Sequence, residues 1–308
     1  RAAETKIPVL GITGTGGAGK SSLIDELIRR FLMEYKGKTL GIISVDPSKR
    51  KTGGALLGDR IRMNAVNKSN VYMRSMATRQ SNLALSKQVK NALDILKTAG
   101  FDMIILETSG IGQSDTEITD HSDISLYVMT PEFGAPSQLE KIDMLDFADV
   151  ISINKFDKRG AVDALRDVRK QYQRNHQRWH DPLEEMPVFG TIASQFNDPG
   201  TNALYRKILD LVSIKADGKF ASQMELEYGD SEKQYIIPPS RVRYLSEITE
   251  ESRKYNAWTE SQAEIAGQVQ SIQTTIDLLK NNETLVGSLK SSLAEISNKL
   301  TKENEEIL

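Results

Sequence analysis

A glycine-rich stretch that ends in Lys and Ser carries the first chemistry that this sequence suggests. Residues 14–21 read Gly-Thr-Gly-Gly-Ala-Gly-Lys-Ser, which fits the pattern G-x-x-x-x-G-K-[ST]. Glycines let the backbone wrap closely around a phosphate and aim its N–H groups at it. We expect Lys20 to bridge the β- and γ-phosphates of a nucleoside triphosphate and the Ser21 hydroxyl to bind Mg²⁺. The predicted phosphate-binding residues are Gly16, Gly17, Ala18, Gly19, Lys20, Ser21 and Ser22.

A second short motif, N-K-x-D at residues 154–157, concerns the base of the nucleotide. An aspartate carboxylate accepts hydrogen bonds from both N1–H and the exocyclic amine of guanine, a donor pair that adenine lacks. We expect Asp157 to read guanine, Asn154 to tie the base loop to the phosphate loop, and Lys155 to cover one face of the base. Backbone N–H groups around Ser194 are expected to contact guanine O6. Beside a phosphate loop, this motif favours GTP over ATP.

Three acidic residues lie where oxygen ligands for a metal ion are expected. Asp46 and Glu107 end apolar runs, and Asp59 lies in the segment Gly-Asp-Arg-Ile-Arg-Met. Because Mg²⁺ prefers oxygen ligands, these carboxylates together with the Ser21 hydroxyl are the predicted metal ligands. The alternative for each carboxylate is a helix cap or a solvated turn.

The segment after Glu107 supplies candidates for sensing the γ-phosphate and for hydrolysis. Gly110 can bring its backbone N–H to a γ-phosphate, and loss of that phosphate would release the loop. Gln113 is the candidate for orienting the attacking water, with a surface polar residue as its alternative. Lys141 is a second candidate, and Lys20 completes the predicted catalytic set.

Short apolar runs alternate with helical patterns in the first two thirds of the chain. The apolar runs are 9–13, 39–45, 102–107, 124–129, 150–154 and 188–193. The helical patterns are Ser21–Tyr35, Gln80–Ala99, Gln138–Phe147, Val162–Gln173 and Ala203–Ile214. This alternation predicts an α/β fold, a mostly parallel sheet with helices on both faces. Together with the phosphate loop and the N-K-x-D motif, it predicts a P-loop GTPase sheet. The sites should cluster on the loops that follow the strands.

The last part of the chain has a different pattern. Apolar residues at a spacing of four and three occur at Ile265, Val269, Ile272, Ile276 and Leu279, and again at Leu289, Leu293, Ile296 and Leu300. This spacing predicts an all-α, coiled-coil-like tail. The interruption at residues 280–283 indicates either a helical-hairpin turn or a stutter, and its adjacent asparagines favour the hairpin. The predicted domains are a GTPase domain (1–217), a linker (218–240) and a helical hairpin or linker segment (241–308).

Composition excludes several other classes of function. The chain has 308 residues, a net charge of −2, no cysteine and three histidines. The absence of cysteine excludes disulfides, thiolate zinc sites, iron–sulfur clusters and cysteine nucleophiles, and it disfavours a nickel metallochaperone. The near-neutral charge disfavours nucleic acid as a partner. No apolar run reaches the roughly 18 residues that a membrane span needs. We therefore expect a cytoplasmic protein with neither a membrane nor a nucleic-acid partner.

Several segments together resemble one group of GTPases. These are the phosphate loop, VDPS (45–48), GDRIRM (58–63), ETSGIGQS (107–114) and NKFD (154–157). The chain resembles the metallochaperone-type P-loop GTPases that attend adenosylcobalamin-dependent acyl-CoA mutases, and it is most similar to the GTPase domain of the fused isobutyryl-CoA mutases. The resemblance implies GTP/GDP and Mg²⁺ as cofactors, with adenosylcobalamin reached only through a partner mutase. It also implies a second switch at 109–116 and a third at 131–141 that signals to the mutase.

The function expected from this resemblance is a GTP-binding, GTP-hydrolysing chaperone that gates adenosylcobalamin loading and protection of an acyl-CoA mutase such as isobutyryl-CoA mutase. The partners would be mutase subunits or domains, with a homodimer left open. The alternatives are a stand-alone metallochaperone-type GTPase and a non-catalytic nucleotide-binding scaffold. We expect no mutase activity in this chain, which lacks a D-x-H-x-x-G motif and room for a mutase barrel of about 250 residues. Its start at Arg1 and its end inside a coiled-coil pattern favour an excised piece.

Overall fold

The computed structural model describes most of the chain. The described residues are 7–47, 63–78, 88–108, 115–216, 220, 227–235, 238, 243–280 and 282–305. Three predicted site residues, Asp59, Gly110 and Gln113, lie outside these ranges. The backbone of Asp46 is described, but its side chain is not.

One parallel sheet forms the centre of the molecule's first part. Its strands are β1 (Val9–Gly14), β2 (Leu40–Pro47), β3 (Val71–Thr78), β4 (Met103–Thr108), β5 (Ile124–Met129), β6 (Val150–Asn154) and β7 (Val188–Thr191). Their order across the sheet is β3-β2-β4-β1-β5-β6-β7, and every neighbouring pair is parallel. Because all strands point the same way, their carboxyl ends meet at one edge, where the loops that bind ligands are expected.

Helices cover both faces of this sheet. They are α1 (Lys20–Glu34), α2 (Val89–Ala99), the short α3 (Pro136–Leu139), α4 (Ala161–Asn175) and α5 (Pro199–Lys215). One core cluster joins α1 and α5 to the sheet, and a second joins α2 and α4 to its other face. Alternate residues of β1 serve the two clusters, with Leu10 and Ile12 in the first and Val9 in the second. Burial on both faces explains why the strands are continuous apolar runs. The predicted fold class is confirmed.

The sequence patterns did not reveal β3. Val71 and Met73 alternate with Tyr72 and Arg74, and the run carries a charge in its middle. Among the described strands, β3 lies at the edge of the sheet and pairs only with β2. Arg74 is exposed there, as an edge strand allows. A strand that is only partly buried therefore lacks the continuous apolar signal of its neighbours.

The single helix predicted over residues 138–147 is wrong. The structure has α3 and then a separate 3₁₀ turn at Asp143–Asp146, with a break at Ile142 (φ −104°, ψ 88°). Leu139, Met144 and Leu145 are all buried in the same core cluster. At 100° per residue, one continuous helix would point Leu139 and Leu145 to different sides. The break at Ile142 lets all three side chains reach the core.

The chain divides into two compact units, Arg1–Gln234 and Tyr235–Leu308. The first unit therefore includes residues 227–234, which lie in the segment predicted as a linker. Asn202 Nδ2 donates to Glu227 O at 2.8 Å, and the Ser231 hydroxyl lies 2.8 Å from Asp198 Oδ2. These contacts hold the segment against α5 and the loop that precedes it.

The second unit consists of helices. They are α6 (Tyr244–Leu278), α7 (Glu283–Ser297) and the one-turn α8 (Lys302–Glu305). Gln262 of α6 donates to Lys299 O at 3.2 Å and accepts from Thr301 N at 3.0 Å, so the chain beyond α7 returns alongside α6. Asn282 caps α7 by accepting from Leu285 N at 3.4 Å. In the described parts of the chain, no helix combines the length and the apolar character that crossing a membrane requires.

His176, at the end of α4, gives the first unit a pH dependence that can be measured. Its ring stacks on Tyr172 at 3.9 Å, and its Nε2 is buried with no partner among the described residues. Burial lowers the pKa of His176 below 6.5, against the opposing effects of a backbone hydrogen bond at Leu145 and of the nearby carboxylates of Asp149 and Asp146. The folded state therefore favours the neutral ring.

We predict that the free energy of unfolding falls as the pH drops from about 7 to 5, because the unfolded chain takes up the proton more readily. His176→Phe keeps a ring against Tyr172 and removes the titrating group, so the variant should lose part of this slope. Each unit of difference in pKa corresponds to about 1.4 kcal/mol. Urea denaturation at several pH values measures the slope, and equal slopes in the two proteins would contradict the prediction.

Candidate nucleotide-binding site

The predicted phosphate loop connects β1 to α1 and has the backbone of a close cradle. Gly17 and Gly19 have φ angles of 73° and 88°, a region that residues with a side chain rarely adopt. A Cβ atom at Gly14 would lie 1.8 Å from Val128 O, and one at Gly19 would lie 2.6 Å from Asn154 Nδ2. The glycines are therefore required by backbone conformation and by close packing against the neighbouring loops.

The start of α1 is prepared for an anion. Gly19 occupies the N-cap position and no side chain of the described residues caps the helix. Its first turn contains no acidic residue. The N–H groups of the first turn and the positive end of the helix dipole therefore point toward the loop. Ser22 is exposed in this turn, Lys20 and Ser21 are half-buried, and Ala18 is fully buried beneath the loop.

The ammonium group of Lys20 lies over the same loop. Its Nζ donates to Gly14 O at 2.8 Å and to Thr15 O at 3.2 Å. A carbonyl oxygen is a weaker partner for a cation than a charged phosphate oxygen. The ammonium group of Lys20 is therefore held across the phosphate loop.

Glu107, at the end of β4, brings a carboxylate to the first turn of α1. Ser21 Oγ donates to Glu107 Oε1 at 3.1 Å, and Ser44 Oγ on β2 donates to Glu107 Oε2 at 3.1 Å. Glu107 is only 4% exposed and Ser44 is fully buried. The two serines therefore fix both oxygens of a buried carboxylate beside the phosphate loop. Sequence analysis missed Ser44, which lies within an apolar run and belongs to no motif.

These groups fit Mg²⁺. The donors are hydroxyl and carboxylate oxygens, which that ion prefers. Two further hydroxyls, Thr13 Oγ1 and Thr108 Oγ1, are buried near the ends of β1 and β4 without a partner among the described residues. The described residues contain no group of three or more His, Asp or Glu side chains that could hold a metal ion alone. Ser21 and Glu107 would thus hold the ion together with phosphate and water oxygens, as is usual for Mg²⁺.

Asn154 lies at the end of β6, where the first of the two predicted base loops begins. Its side chain connects the phosphate loop to the second base loop, which follows β7. Its Nδ2 donates to Ala18 O at 2.8 Å, and its Oδ1 accepts from Ala193 N at 3.1 Å and from Thr191 Oγ1 at 3.3 Å. Asn154 is 2% exposed. One buried amide therefore uses its donor on one loop and its acceptor on the other.

Lys155 and Asp157 follow Asn154 in the loop after β6. Lys155 has a φ of 59°, in the left-handed region, and its Nζ donates to Gly17 O at 2.8 Å. Its aliphatic stem thus spans the gap between the two loops. The Asp157 carboxylate lies at the surface, where its Oδ2 is 3.3 Å from Lys233 Nζ. Asp157 therefore has a carboxylate near solvent, as a group that reads a bound base requires.

In the loop after β7, only some backbone N–H groups remain as candidate donors to guanine O6. Ile192 N donates to Asp198 Oδ2 at 3.0 Å, and Ala193 N donates to Asn154 Oδ1 at 3.1 Å. Both groups are engaged within the protein. Ser194 is exposed, and its backbone N–H has no partner among the described residues. Ser194 is thus the position from which this loop can offer a donor.

Asp198 positions that loop, and sequence analysis missed it. It is the N-cap of α5 and is fully buried. Its Oδ2 accepts from Ile192 N, Thr201 N and Thr201 Oγ1 and lies 2.8 Å from the Ser231 hydroxyl. The sequence signal was present, since an aspartate followed by a proline commonly begins a helix.

The remaining predicted residues are not joined to the site by contacts that the structure describes. Lys141 is exposed after α3, and its backbone N donates to Gln138 O at 3.0 Å. In the described ranges its side chain makes no hydrogen bond or ion pair with the phosphate loop. Asp46 occupies the next-to-last position of β2. The catalytic and metal-binding roles assigned to these two residues stay predictions.

Comparisons with known proteins agree with this geometry. A family model described as "Methylmalonyl Co-A mutase-associated GTPase MeaB" matches residues 2–225. A fused isobutyryl-CoA mutase of Geobacillus kaustophilus is 52% identical across 100% of this chain and 29% of that protein. A second, from Cupriavidus metallidurans, is 49% identical across 97% of this chain and 28% of its own length. The mitochondrial methylmalonic aciduria type A homolog of Caenorhabditis elegans is 33% identical over 48% of this chain and 37% of its own length.

The chain spans less than a third of the length of these two fused relatives. The family model covers well over half of the chain and includes the loops described above. The resemblance seen in the sequence is confirmed. The chain belongs to the MeaB family of methylmalonyl-CoA mutase-associated GTPases.

Proposed function

We propose that this chain binds GTP with Mg²⁺, hydrolyses it slowly, and uses the cycle to gate the loading and protection of adenosylcobalamin on an acyl-CoA mutase. Family membership supports GTP hydrolysis in general terms. The names of the fused relatives support an isobutyryl-CoA mutase as the partner, and in those relatives the matching segment is part of the same chain.

One observation carries the nucleotide assignment. The Asn154 amide bonds Ala18 O in the phosphate loop at 2.8 Å and Ala193 N in the base loop after β7 at 3.1 Å. The two loops are therefore held at a fixed separation, suited to the two ends of one nucleotide. Asp157, three residues after Asn154, supplies the carboxylate whose two oxygens match the N1–H and amino donors of guanine.

The residues of the phosphate loop would act by positioning and by neutralising charge. Lys20 and the N–H groups at the start of α1 would bind the phosphates, and Ser21 with Glu107 would hold the metal ion. When bound, Mg²⁺ neutralises charge that develops between the β- and γ-phosphates. Water is the nucleophile, and Gln113 is our candidate for orienting it. We expect slow hydrolysis that the partner mutase accelerates.

The segment 131–141 is our candidate for the signal to the mutase. It follows β5, and Val128 O of that strand accepts from Thr15 N of the phosphate loop at 3.0 Å. Glu132 forms an ion pair with Lys158, which lies just after Asp157. The hydrogen bond from Lys158 is the main cause that lowers the pKa of Glu132 to about 2, so the carboxylate is charged at physiological pH. The segment thus follows a strand that is bonded to the phosphate loop, and it pairs with the residue next to Asp157.

Turnover of GTP tests the function directly. The purified protein should hydrolyse GTP but not ATP when Mg²⁺ is present, and addition of isobutyryl-CoA mutase subunits with adenosylcobalamin should raise the rate. Lys20→Ala should lower turnover by about 100-fold, because it removes charge that stabilises the transition state. Lys170→Ala, at an exposed position of α4, is the matched control and should retain full activity. Equal use of ATP and GTP would contradict the proposal.

Asp157→Asn should change which base is recognised. An asparagine amide can accept from N1–H but donates where guanine also donates, whereas xanthine offers an acceptor at that position. We expect affinity for GDP to fall about 100-fold and xanthosine diphosphate to become the better ligand. Calorimetric titration with both nucleotides measures this change in preference. Unchanged GDP binding would show that Asp157 does not contact the base.

Glu107→Gln should raise the Mg²⁺ concentration needed for half-maximal turnover by about tenfold or more, because it removes the charge of a ligand. Ser44→Ala should shift this requirement in the same direction by a smaller factor, because it removes one hydrogen bond to the carboxylate. The control is Ser125→Ala, which removes another buried strand serine, bonded to Asp149 instead. If both serine variants shift the Mg²⁺ requirement equally, Ser44 has no special link to the metal.

A further inference from the structure

Residues 227–234, which we call the strap, lie along the base end of the site. Asn202 Nδ2 holds the beginning of the strap through Glu227 O at 2.8 Å. In its middle, the Ser231 hydroxyl is 5% exposed and lies 2.9 Å from Gly190 O and 2.8 Å from Asp198 Oδ2. Gly190 belongs to β7, and Asp198 orders the loop that follows it. The strap is therefore attached to the same elements that carry the base loop.

Gln195 attaches the end of the strap with both functions of its side-chain amide. Its Nε2 donates to Glu232 O at 2.9 Å, and its Oε1 accepts from Gln234 N at 2.9 Å. Gln195 immediately follows Ser194, the position from which the base loop can offer a donor. Two bonds from one planar amide fix the strap in both position and direction. Lys233, between the two bonded residues, is thereby carried to Asp157, with its Nζ 3.3 Å from Oδ2.

The chemistry of a carboxylate lets this contact persist when a base is bound. Each oxygen can accept two hydrogen bonds, so Asp157 can accept from N1–H and the amino group of guanine and still accept from an ammonium group. The lysine would restrict rotation of the carboxylate before the base arrives. A carboxylate that is already oriented loses less freedom on binding.

We propose that Lys233 is a positioning residue for guanine recognition, and that docking of the strap is thermodynamically coupled to occupation of the base site. The inference rests on the proposed function, since it deepens the recognition step. Coupling is reciprocal: whatever the strap adds to guanine affinity, bound guanine adds to the stability of the docked strap. The strap ends at Gln234, where the first compact unit also ends.

The expected size of the effect follows from exposure. The side chains of Lys233 and Asp157 are 49% and 27% exposed, so solvent weakens their attraction. Lys233→Ala should therefore weaken GDP binding by about two- to fivefold. Lys170→Ala is the matched control, because it removes an exposed cation of α4 that lies outside the loops after β6 and β7. This control should leave GDP affinity unchanged.

A thermodynamic cycle separates positioning from general loss of charge. In the Asp157→Asn background the carboxylate is gone, so adding Lys233→Ala should leave affinity for xanthosine diphosphate unchanged. Gln195→Ala should weaken GDP binding as Lys233→Ala does. The affinity of the double variant for GDP should be no lower than that of the single variant with the lower affinity, because both changes act through the strap.

Hydrogen exchange gives a readout of the strap itself. Because Gln234 N is bonded to Gln195, its amide should exchange more slowly with GDP bound than without nucleotide, and Gln195→Ala should abolish the difference. In each experiment, the affinities of the wild type for GDP and for ADP are measured first, and GDP should bind more tightly. If that preference is absent, the proposed function fails. If it is present, equal effects of Lys233→Ala and Lys170→Ala, or no nucleotide-dependent protection of the strap, overturn this inference alone.

Discussion

The recognition site depends on one buried amide. The Asn154 side chain donates to Ala18 O of the phosphate loop and accepts from Ala193 N of the base loop after β7. An aspartate here would lack the donor, and a leucine would leave both backbone groups unpaired at a cost of about 1–3 kcal/mol each. Because the bond joins loops that are far apart in sequence, it sets the distance between two ends of the site before any ligand binds. Recognition can then proceed with little reorganisation.

Strand order explains how one edge of the sheet serves a ligand with several chemically different parts. Across the sheet, β4 contributes Glu107, β1 leads into the phosphate loop, β5 leads into the segment 131–141, and β6 and β7 lead into the two base loops. The groups proposed to bind metal, phosphate and base therefore follow one another in space in the order of the strands, although not in the order of the chain. Parallel strands make this arrangement possible because every strand delivers its carboxyl end to the same edge.

Sequence reasoning succeeded where the signal was local. A buried strand is a continuous apolar run, and a cradle such as the one at Gly19 demands glycine, so both are readable one segment at a time. It failed at β3, whose single neighbour leaves it half-exposed, and over residues 138–147, where the positions of three core residues decide the backbone. Ser44 was missed because a serine inside a strand has no meaning until its partner, Glu107, is known.

The strap was missed for the same physical reason. Its residues are polar and irregular, which is typical of a linker, and they are ordered by side chains from elsewhere, above all Gln195 and Asp198. Such contacts join positions far apart in the chain, and no periodicity records them. The linker predicted at 218–240 was therefore an inference from composition, which reports how much apolar surface a segment carries but not what it bonds to.

Lys155 adopts a left-handed backbone, which costs a residue with a Cβ atom about 1–2 kcal/mol. A glycine would relax that strain, yet it would also delete the amine that spans the gap to Gly17 O. If Lys155 covers the base as proposed, the strain of its backbone is a cost in stability that is offset only when the ligand is bound.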